Sequence, residues 1–317
     1  MDNTALKYVF GPVVSRRLGR SLGVDVVPFK TCTYDCIYCQ LGPTTRRTVE
    51  RGDYVPLETV LEELRRKLAA GVAADYITIA GSGEPTLYSG LKRLITGIKA
   101  MTDVPVAVIT NGALLWMPEV QEDLLDADLV VPSLDAGTEA SFARVNRPCT
   151  GLGFDRMVEG LAAFRLRYQG QLWLEVFLLG GITDTDAEVA RIADAVERIR
   201  PDKIQLNTVA RPAPGSDVAP VPRDVMERIA RRFGPNAEVI AHYELSRHAT
   251  RAEIRPEDVL AVVQRHPCSL ADIAQGLGIS LDKAAEHMAA LTEKRAVSEE
   301  IRDGIPFYLA NNTEGDR

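Results

Sequence analysis

Short apolar, β-branched runs alternate with amphipathic stretches from residue 22 to residue 212, and this alternation constrains the fold of the chain more than any other feature. "LGVDVVPF" (22–29), "DYITIAG" (75–81), "VPVAVITNG" (104–112), "ADLVVPSLDA" (127–136), "QLWLEVFLLGG" (171–181) and "PDKIQLNTVARP" (201–212) read as strands. Between them, residues 56–71, 89–101, 118–126, 154–168 and 185–200 read as helices, with Gly71 as a C-cap and Thr185 as an N-cap. Apolar strands separated by such helices predict a parallel sheet buried on both faces. Six β/α units predict an α/β protein with a partial (β/α)6 TIM-like barrel rather than a closed eight-stranded one. In that architecture chemistry gathers at the C-terminal strand ends. Here those ends carry Cys32–Cys39, Gly81–Glu84, Thr110–Gly112, Ser133–Asp135, Gly180–Thr183 and Asn207–Arg211.

The proline-rich "RPAPGSDVAPVP" (211–222) predicts a rigid connection, followed by a helix over 223–234 and a short strand in "AEVIAHY". From Ile254 the pattern changes to three helices and a hairpin, "SEEIRDGIPFYLA" (298–310), with "DG" at its turn. That order predicts a small C-terminal winged helix-turn-helix domain. The expected division is a barrel over 1–250, a winged helix over 251–310 and a flexible tail over 311–317.

The chain of 317 residues carries a net charge of −7, which argues against nonspecific polyanion binding by the whole protein. Residues 1–52 oppose that trend, with eight Lys/Arg against four Asp/Glu. Residues 251–317 reinforce it, with eight Lys/Arg against twelve Asp/Glu. The start "MDNTALKYVF" lacks a basic region followed by a long apolar run, and no apolar stretch has the length of a membrane span. A cytoplasmic location without membrane contact is therefore the expectation. Clustered cysteines there indicate metal or catalysis rather than disulfides.

Three of the five cysteines lie in "KTCTYDCIYCQLG" (30–42), spaced C-x3-C-x2-C. Structural zinc takes four ligands, usually as two paired cysteine motifs, and Cys149 and Cys268 have no partner cysteines nearby. Cys268 reads as a small apolar side chain. A ferredoxin cluster needs a fourth cysteine ahead of a proline, which is absent. A 4Fe–4S cluster on three thiolates remains. It leaves one iron open to an outside ligand such as the amine and carboxylate of an amino acid.

With "CTYDCIYC" the sequence resembles the radical S-adenosylmethionine (SAM) superfamily, and the resemblance extends from residue 8 to residue 245. It implies one 4Fe–4S cluster on Cys32, Cys36 and Cys39, with SAM on the open iron. It also implies reductive cleavage of SAM to a 5′-deoxyadenosyl radical, and a reducing partner such as flavodoxin or ferredoxin. "GSGEPTL" (81–87) stands where the family carries its glycine-glycine-glutamate motif, with Ser82 replacing the second glycine. Gly81, Ser82, Gly83 and Glu84 would then meet the SAM amino group. Asn111 and Ser133 would approach its methionyl and ribose groups, with Asp135 nearby, and Tyr38 and Asn207 complete the expected cofactor set. The block from Phe10 to Thr44 resembles a bacterial group related to wyosine-base synthase-like radical SAM proteins. Relatives of that kind rebuild a transfer RNA guanine with a second cluster, for which this chain has no cysteines.

For the substrate, Arg16, Arg17 and Arg20 in "SRRLGR" read either as an anion clamp or as structural ion pairs. His242 and Tyr243 read more simply as structural residues. An RNA base, a peptide and a small anionic metabolite all fit this pattern. The acidic C-terminal module fits peptide or protein docking at least as well as nucleic acid. Two other functions follow from the same motifs. A metal-sensing winged-helix regulator predicts salt-sensitive DNA binding without SAM cleavage, and a zinc-stabilised nucleic-acid module predicts a colourless zinc protein.

Overall fold

The structure, a computed structural model, describes residues 6–15, 17–209, 218–241, 254–264, 267–302 and 305–311. In chain order the first elements are β1 (Val9–Ser15), β2 (Gly19–Val24), β3 (Thr31–Cys32), β4 (Arg46–Arg47), α1 (Leu57–Ala69) and β5 (Tyr76–Ile79). There follow α2 (Leu91–Lys99), β6 (Val106–Thr110), α3 (Pro118–Leu124), β7 (Leu129–Pro132), α4 (Glu139–Val145) and α5 (Phe154–Arg167). Next come β8 (Gln171–Leu178), α6 (Asp186–Ile199), β9 (Lys203–Thr208), α7 (Arg223–Phe233) and β10 (Ala237–Val239). The last are α8 (Pro256–Val263), β11 (Cys268–Ser269), α9 (Leu270–Leu277), α10 (Leu281–Glu293), β12 (Val297–Arg302) and β13 (Ile305–Ala310).

Grouping by contact follows a different line from the sequential division expected at 250/251. One compact unit comprises residues 25–61 and 78–243, and the other residues 1–24, 62–77 and 244–317.

In the larger unit the strand order is β6-β7-β8-β9-β10, all parallel, with the Thr78–Ile79 end of β5 next to β6. The fold is α/β with a mostly parallel sheet, as the alternating pattern predicts. All four residues of β7 are buried, as a strand covered on both faces requires. Helices supply the cover through one apolar stripe each. In α2 this is Leu91, Leu94, Ile95 and Ile98, and in α6 it is Val189, Ile192, Val196 and Ile199. Thr185 caps α6 by accepting a bond from the Glu188 N–H, and Gly71 follows α1 with a φ of +75°. Both caps were legible in the sequence.

In the other unit, β1 and β2 form an antiparallel hairpin. Val13 of β1 packs on a core made by Val259, Val262, Cys268, Ile273, Leu277, Met288 and Leu291. Cys268 is fully buried there, as its apolar reading predicts. Three helices stand beside a sheet of order β11-β13-β12, so the helices and hairpin strands expected over 254–310 are present. The "DG" turn, most of the 211–222 connection, His242, Tyr243 and residues 312–317 lie outside the described residues. Among the described residues no helix is long and apolar enough to cross a membrane.

The hairpin begins on an acid. Glu63 of α1, 7% exposed, accepts the backbone N–H groups of Lys7 (2.9 Å), Tyr8 (2.8 Å) and Val9 (3.0 Å). Glu63→Ala leaves these donors without their acceptor, at a cost of about 3 kcal/mol. The expected result in calorimetry is a melting midpoint lowered by roughly 5–10 °C, with a smaller drop for Glu63→Gln, which keeps an acceptor oxygen.

Candidate active site

Main-chain bonds from three segments hold the cysteine loop. On one edge β4 runs parallel to β3, with Thr31 opposite Arg46 and Cys32 opposite Arg47. Arg46 N–H donates to the Lys30 carbonyl (3.1 Å) and Thr48 N–H to the Cys32 carbonyl (3.0 Å). Carbonyls alternate along a strand, so Thr31 faces the other edge, where it accepts Glu84 N–H at 3.0 Å. The third segment follows α4. Asp35 N–H donates to the Asn146 carbonyl (3.0 Å), Ile37 N–H to that of Val145 (2.9 Å), and Cys149 N–H to that of Thr33 (2.9 Å).

The glycines of "GSGE" serve this packing. A Cβ on Gly83 would stand 1.9 Å from the Thr31 carbonyl oxygen, and one on Gly81 would stand 2.5 Å from Asp25 Cγ. Their absence lets the turn after β5 lie directly on β3. Ser82 donates through both N–H and Oγ to Asp25 Oδ2.

Each cysteine sulfur meets one side-chain N–H. Lys30 Nζ is 3.1 Å from Cys39 Sγ, Asn111 Nδ2 is 3.5 Å from Cys32 Sγ, and Asn146 Nδ2 is 3.5 Å from Cys36 Sγ. Burial pushes the Cys32 thiol up to about 12, with the Glu84 carboxylate adding to it. Burial, then Asp135, raises the Cys36 thiol well above the ordinary range. Such thiols keep their protons until a cation replaces them, and bound metal does so. Among the described residues no three His, Cys, Asp or Glu side chains converge as ligands of a single metal ion. A four-iron cluster does not need that convergence, because each thiolate takes its own iron, whereas zinc does. The residues present therefore fit the cluster better than a mononuclear metal.

Two buried carboxylates organise the strand ends. Glu84 Oε1 accepts Thr86 N–H (3.0 Å), Thr86 Oγ1 (2.6 Å) and Thr110 Oγ1 (2.6 Å), and Oε2 accepts Asn111 N–H (2.7 Å). Burial raises its pKa, and these bonds oppose the rise. Asp135 Oδ2 accepts the Tyr38 hydroxyl and Asn146 Nδ2, and Oδ1 accepts Phe177 N–H at 3.3 Å. Burial lifts Asp135 to about 6, opposed by the bonds from Tyr38 and Asn146. The Tyr38 ring stacks on Phe177 with centroids 4.2 Å apart. Asn207 donates to Glu175 Oε1 at 2.9 Å, and the Glu175 carbonyl accepts Leu134 N–H. Ser133 forms a backbone bridge with Glu175.

Cys32, Glu84 and Asn111 thus share one network, and Cys36, Tyr38 and Asp135 share another through Asn146. Arg20 takes the structural alternative set out for it, gripping Asp75 through Nη2 at 2.7 Å. It is the second residue of β2, whose opposite end leads into the cysteine loop. Arg17 N–H lies 3.4 Å from Ser15 Oγ in the hairpin turn, and Arg16 lies outside the described residues. Sequence reasoning missed Lys30, Asn146 and Phe177, and placed Thr110 at a strand end without giving it a role. Thr110 opens the "TNG" triplet and Lys30 precedes the first cysteine, so position was their signal; Asn146, in a loop after a seven-residue helix, had none.

Gly83→Ala forces the turn off β3 and is expected to abolish most iron uptake in anaerobic reconstitution, read as iron per chain. Gly52→Ala, whose new Cβ has its nearest neighbour at 3.9 Å, is expected to load normally.

The sequence profile of the radical SAM superfamily matches residues 26–196. The chain is 32% identical over 322 residues to a UPF0026 protein of Methanocaldococcus jannaschii, covering 98% of both chains. It is 41% identical over 308 residues to a protein of Brachyspira hyodysenteriae named GTPase Obg, covering 96% of this chain but only 45% of that one. Its fold is similar to that of a radical SAM methyltransferase from Sphaerobacter thermophilus, with a TM-score of 0.56 at 18% identity, covering 71% of this chain and 67% of the other. On the profile match over more than half of its length the chain belongs to the radical SAM superfamily, and on the full-length similarity to the Methanocaldococcus protein it belongs with the UPF0026 proteins.

Proposed function

We propose that this protein is a radical SAM enzyme in which Cys32, Cys36 and Cys39 hold one 4Fe–4S cluster and the strand ends around Glu84, Asn111, Ser133, Asp135 and Asn207 receive SAM. The observation that carries the proposal is the three-thiol loop with one N–H donor at each sulfur. Cys32, Cys36 and Cys39 would hold the cluster, whose chemistry there would be one-electron reductive cleavage of SAM, ending in hydrogen-atom removal from the substrate.

The chain's own residues position and shield this chemistry. Glu84 has three bonds on Oε1 and one on Oε2, so Oε2 retains acceptor capacity for an ammonium group. Asn111 ties that carboxylate to Cys32 through its own N–H and Nδ2. Asp135 fixes the Tyr38 ring against Phe177, which gives the site a flat apolar wall. The GTPase activity in the Brachyspira protein's name does not come with the match, since more than half of that chain lies outside it. The α8–β13 segment fits a winged helix-turn-helix module. Its exposed Glu299 and Glu300 on β12 favour a peptide or protein contact over nucleic acid, and weigh against a DNA-binding regulator.

Anaerobically reconstituted protein with reductant and SAM is expected to yield 5′-deoxyadenosine. Cys32→Ala, Cys36→Ala and Cys39→Ala are each expected to lose both the product and most of the iron. Absence of 5′-deoxyadenosine from iron-loaded wild type would contradict the enzyme reading, and salt-sensitive DNA binding in its place would favour the regulator. Lys30, 3% exposed, brings a positive charge to Cys39. Reduction adds negative charge beside it, so Lys30→Met is expected to move the midpoint potential downward. A potentiometric titration is expected to show roughly 60–120 mV, one to two factors of ten in the one-electron equilibrium.

A further inference from the structure

A parallel strand covered on both faces is ordinarily apolar on both, as β7 is. β9 departs from that rule. Its residues from Ile204 to Thr208 are all buried, yet Gln205, Asn207 and Thr208 are polar. Side chains alternate along a strand, so Lys203, Gln205 and Asn207 share one face of β9, and Trp173, Glu175 and Phe177 share one face of β8. The contacts agree that this is a common face. Asn207 Nδ2 donates to Glu175 Oε1 at 2.9 Å, Lys203 Nζ lies 4.3 Å from the centre of the Trp173 ring, and Phe177 stacks on Tyr38. The polar face of β8 and β9 is therefore the one on which Tyr38 sits.

The register pairs Glu175 with Gln205, and Gln205 with Glu238 of β10, so these three form one row across three strands. The row lies two residues, about 7 Å, from Asn207 toward the N-terminal ends of the strands. Gln205, at its centre, is 1% exposed. Its Nε2 donates to Glu238 Oε1 at 2.8 Å. A carboxylate only accepts, so this bond fixes the amide with its oxygen turned away from Glu238. Among the described residues that oxygen, Gln205 Oε1, has no hydrogen-bond partner. A buried carbonyl without a donor is costly, and the position calls for a donor from a ligand.

Charge decides which kind of donor. Glu175 and Glu238 flank Gln205, and Asp135 is bound one layer up by the Phe177 N–H. Against these three carboxylates stands Lys203, 3.4 Å from Glu238 Oε1. The surroundings favour a cationic donor over a neutral or anionic one. The row is also reachable. The Lys203 and Glu238 side chains are 36% and 46% exposed, and β10 is the last strand of the sheet.

We propose that Gln205, with Glu175 beside it, recognises an ammonium or guanidinium group of the substrate, which enters along this row from the β10 edge. The proposal rests on the enzyme reading above and adds the chemical class of the substrate. That class is a molecule with a cationic N–H group, not a small anion or a phosphate.

The test is isothermal titration calorimetry of iron-loaded protein with SAM present, with agmatine as the cationic probe and glutarate as the anionic one. The wild type is expected to bind agmatine and not glutarate. Gln205→Met keeps the length of the side chain and removes the acceptor, and is expected to raise the agmatine dissociation constant at least tenfold. Its melting midpoint is expected to stay level or rise, because the buried oxygen without a donor is gone. Glu175→Gln keeps the shape and an acceptor for Asn207 but removes the charge, and is expected to weaken agmatine by a similar factor. Unchanged agmatine affinity in Gln205→Met overturns the proposal, and a lowered melting midpoint alongside it assigns Gln205 a purely structural role. Preference for glutarate, or failure of the wild type to bind either probe, overturns it too. Wild-type protein that binds agmatine but yields no 5′-deoxyadenosine on reduction overturns the enzyme reading instead, and leaves a cation site without radical chemistry.

Discussion

Cys32 and Cys36 are half-buried beside the buried Glu84 and Asp135, groups that would all carry negative charge if ionised, and the arrangement of the site answers that repulsion. Part of the answer is local hydrogen bonding. Glu84 accepts four bonds, Asp135 accepts three, and every sulfur has an N–H beside it. The remainder is assigned to iron, since thiols held this high give up their protons only to a cation. The same groups that make thiolates costly in this loop would be offset by a positively charged cluster core.

Asn111 and Asn146 give this balance its geometry. Asn111 spans Glu84 and Cys32, and Asn146 spans Asp135 and Cys36. A displaced turn after β5 or β7 is thereby felt at a sulfur. Lys30 completes the set from within the loop, in a left-handed backbone conformation (φ 57°) with its N–H bound to the Ser82 carbonyl. The loop, the β5 turn and the segment after α4 therefore behave as one assembly rather than three loops that happen to meet.

Much of this was legible in the residues and some was not, for identifiable reasons. The strands from β5 to β7 were readable because a strand buried on both faces is apolar nearly throughout, and β8 and β9 because their apolar residues, interrupted by Glu175, Gln205 and Asn207, still fall between amphipathic helices. Glu84, Asn111 and Asp135 were readable because a polar residue directly after such a strand lies where the fold collects chemistry. β1 was missed: Gly11 and Pro12 interrupt its apolar run, and the pairing with β2 shifts register between Phe10 and Val13. Arg20 left two readings open because its partner, Asp75, is 55 residues away. Asn146 acquires its role only from the fold, since nothing in "RVNRPC" marks a residue that contacts Cys36. The grouping of residues 1–24 with 244–317 was hidden in the same way, because packing of the half-buried Val13 against α8–α10 residues leaves no periodic trace.

The central claim is that three thiols leave one iron of a four-iron cluster open and that SAM occupies it. Electron paramagnetic resonance of the reduced, iron-loaded protein with and without SAM tests this most directly. The account predicts a four-iron signal whose g-values shift when SAM is added, because a ligand to the open iron changes. A spectrum indifferent to saturating SAM would contradict it.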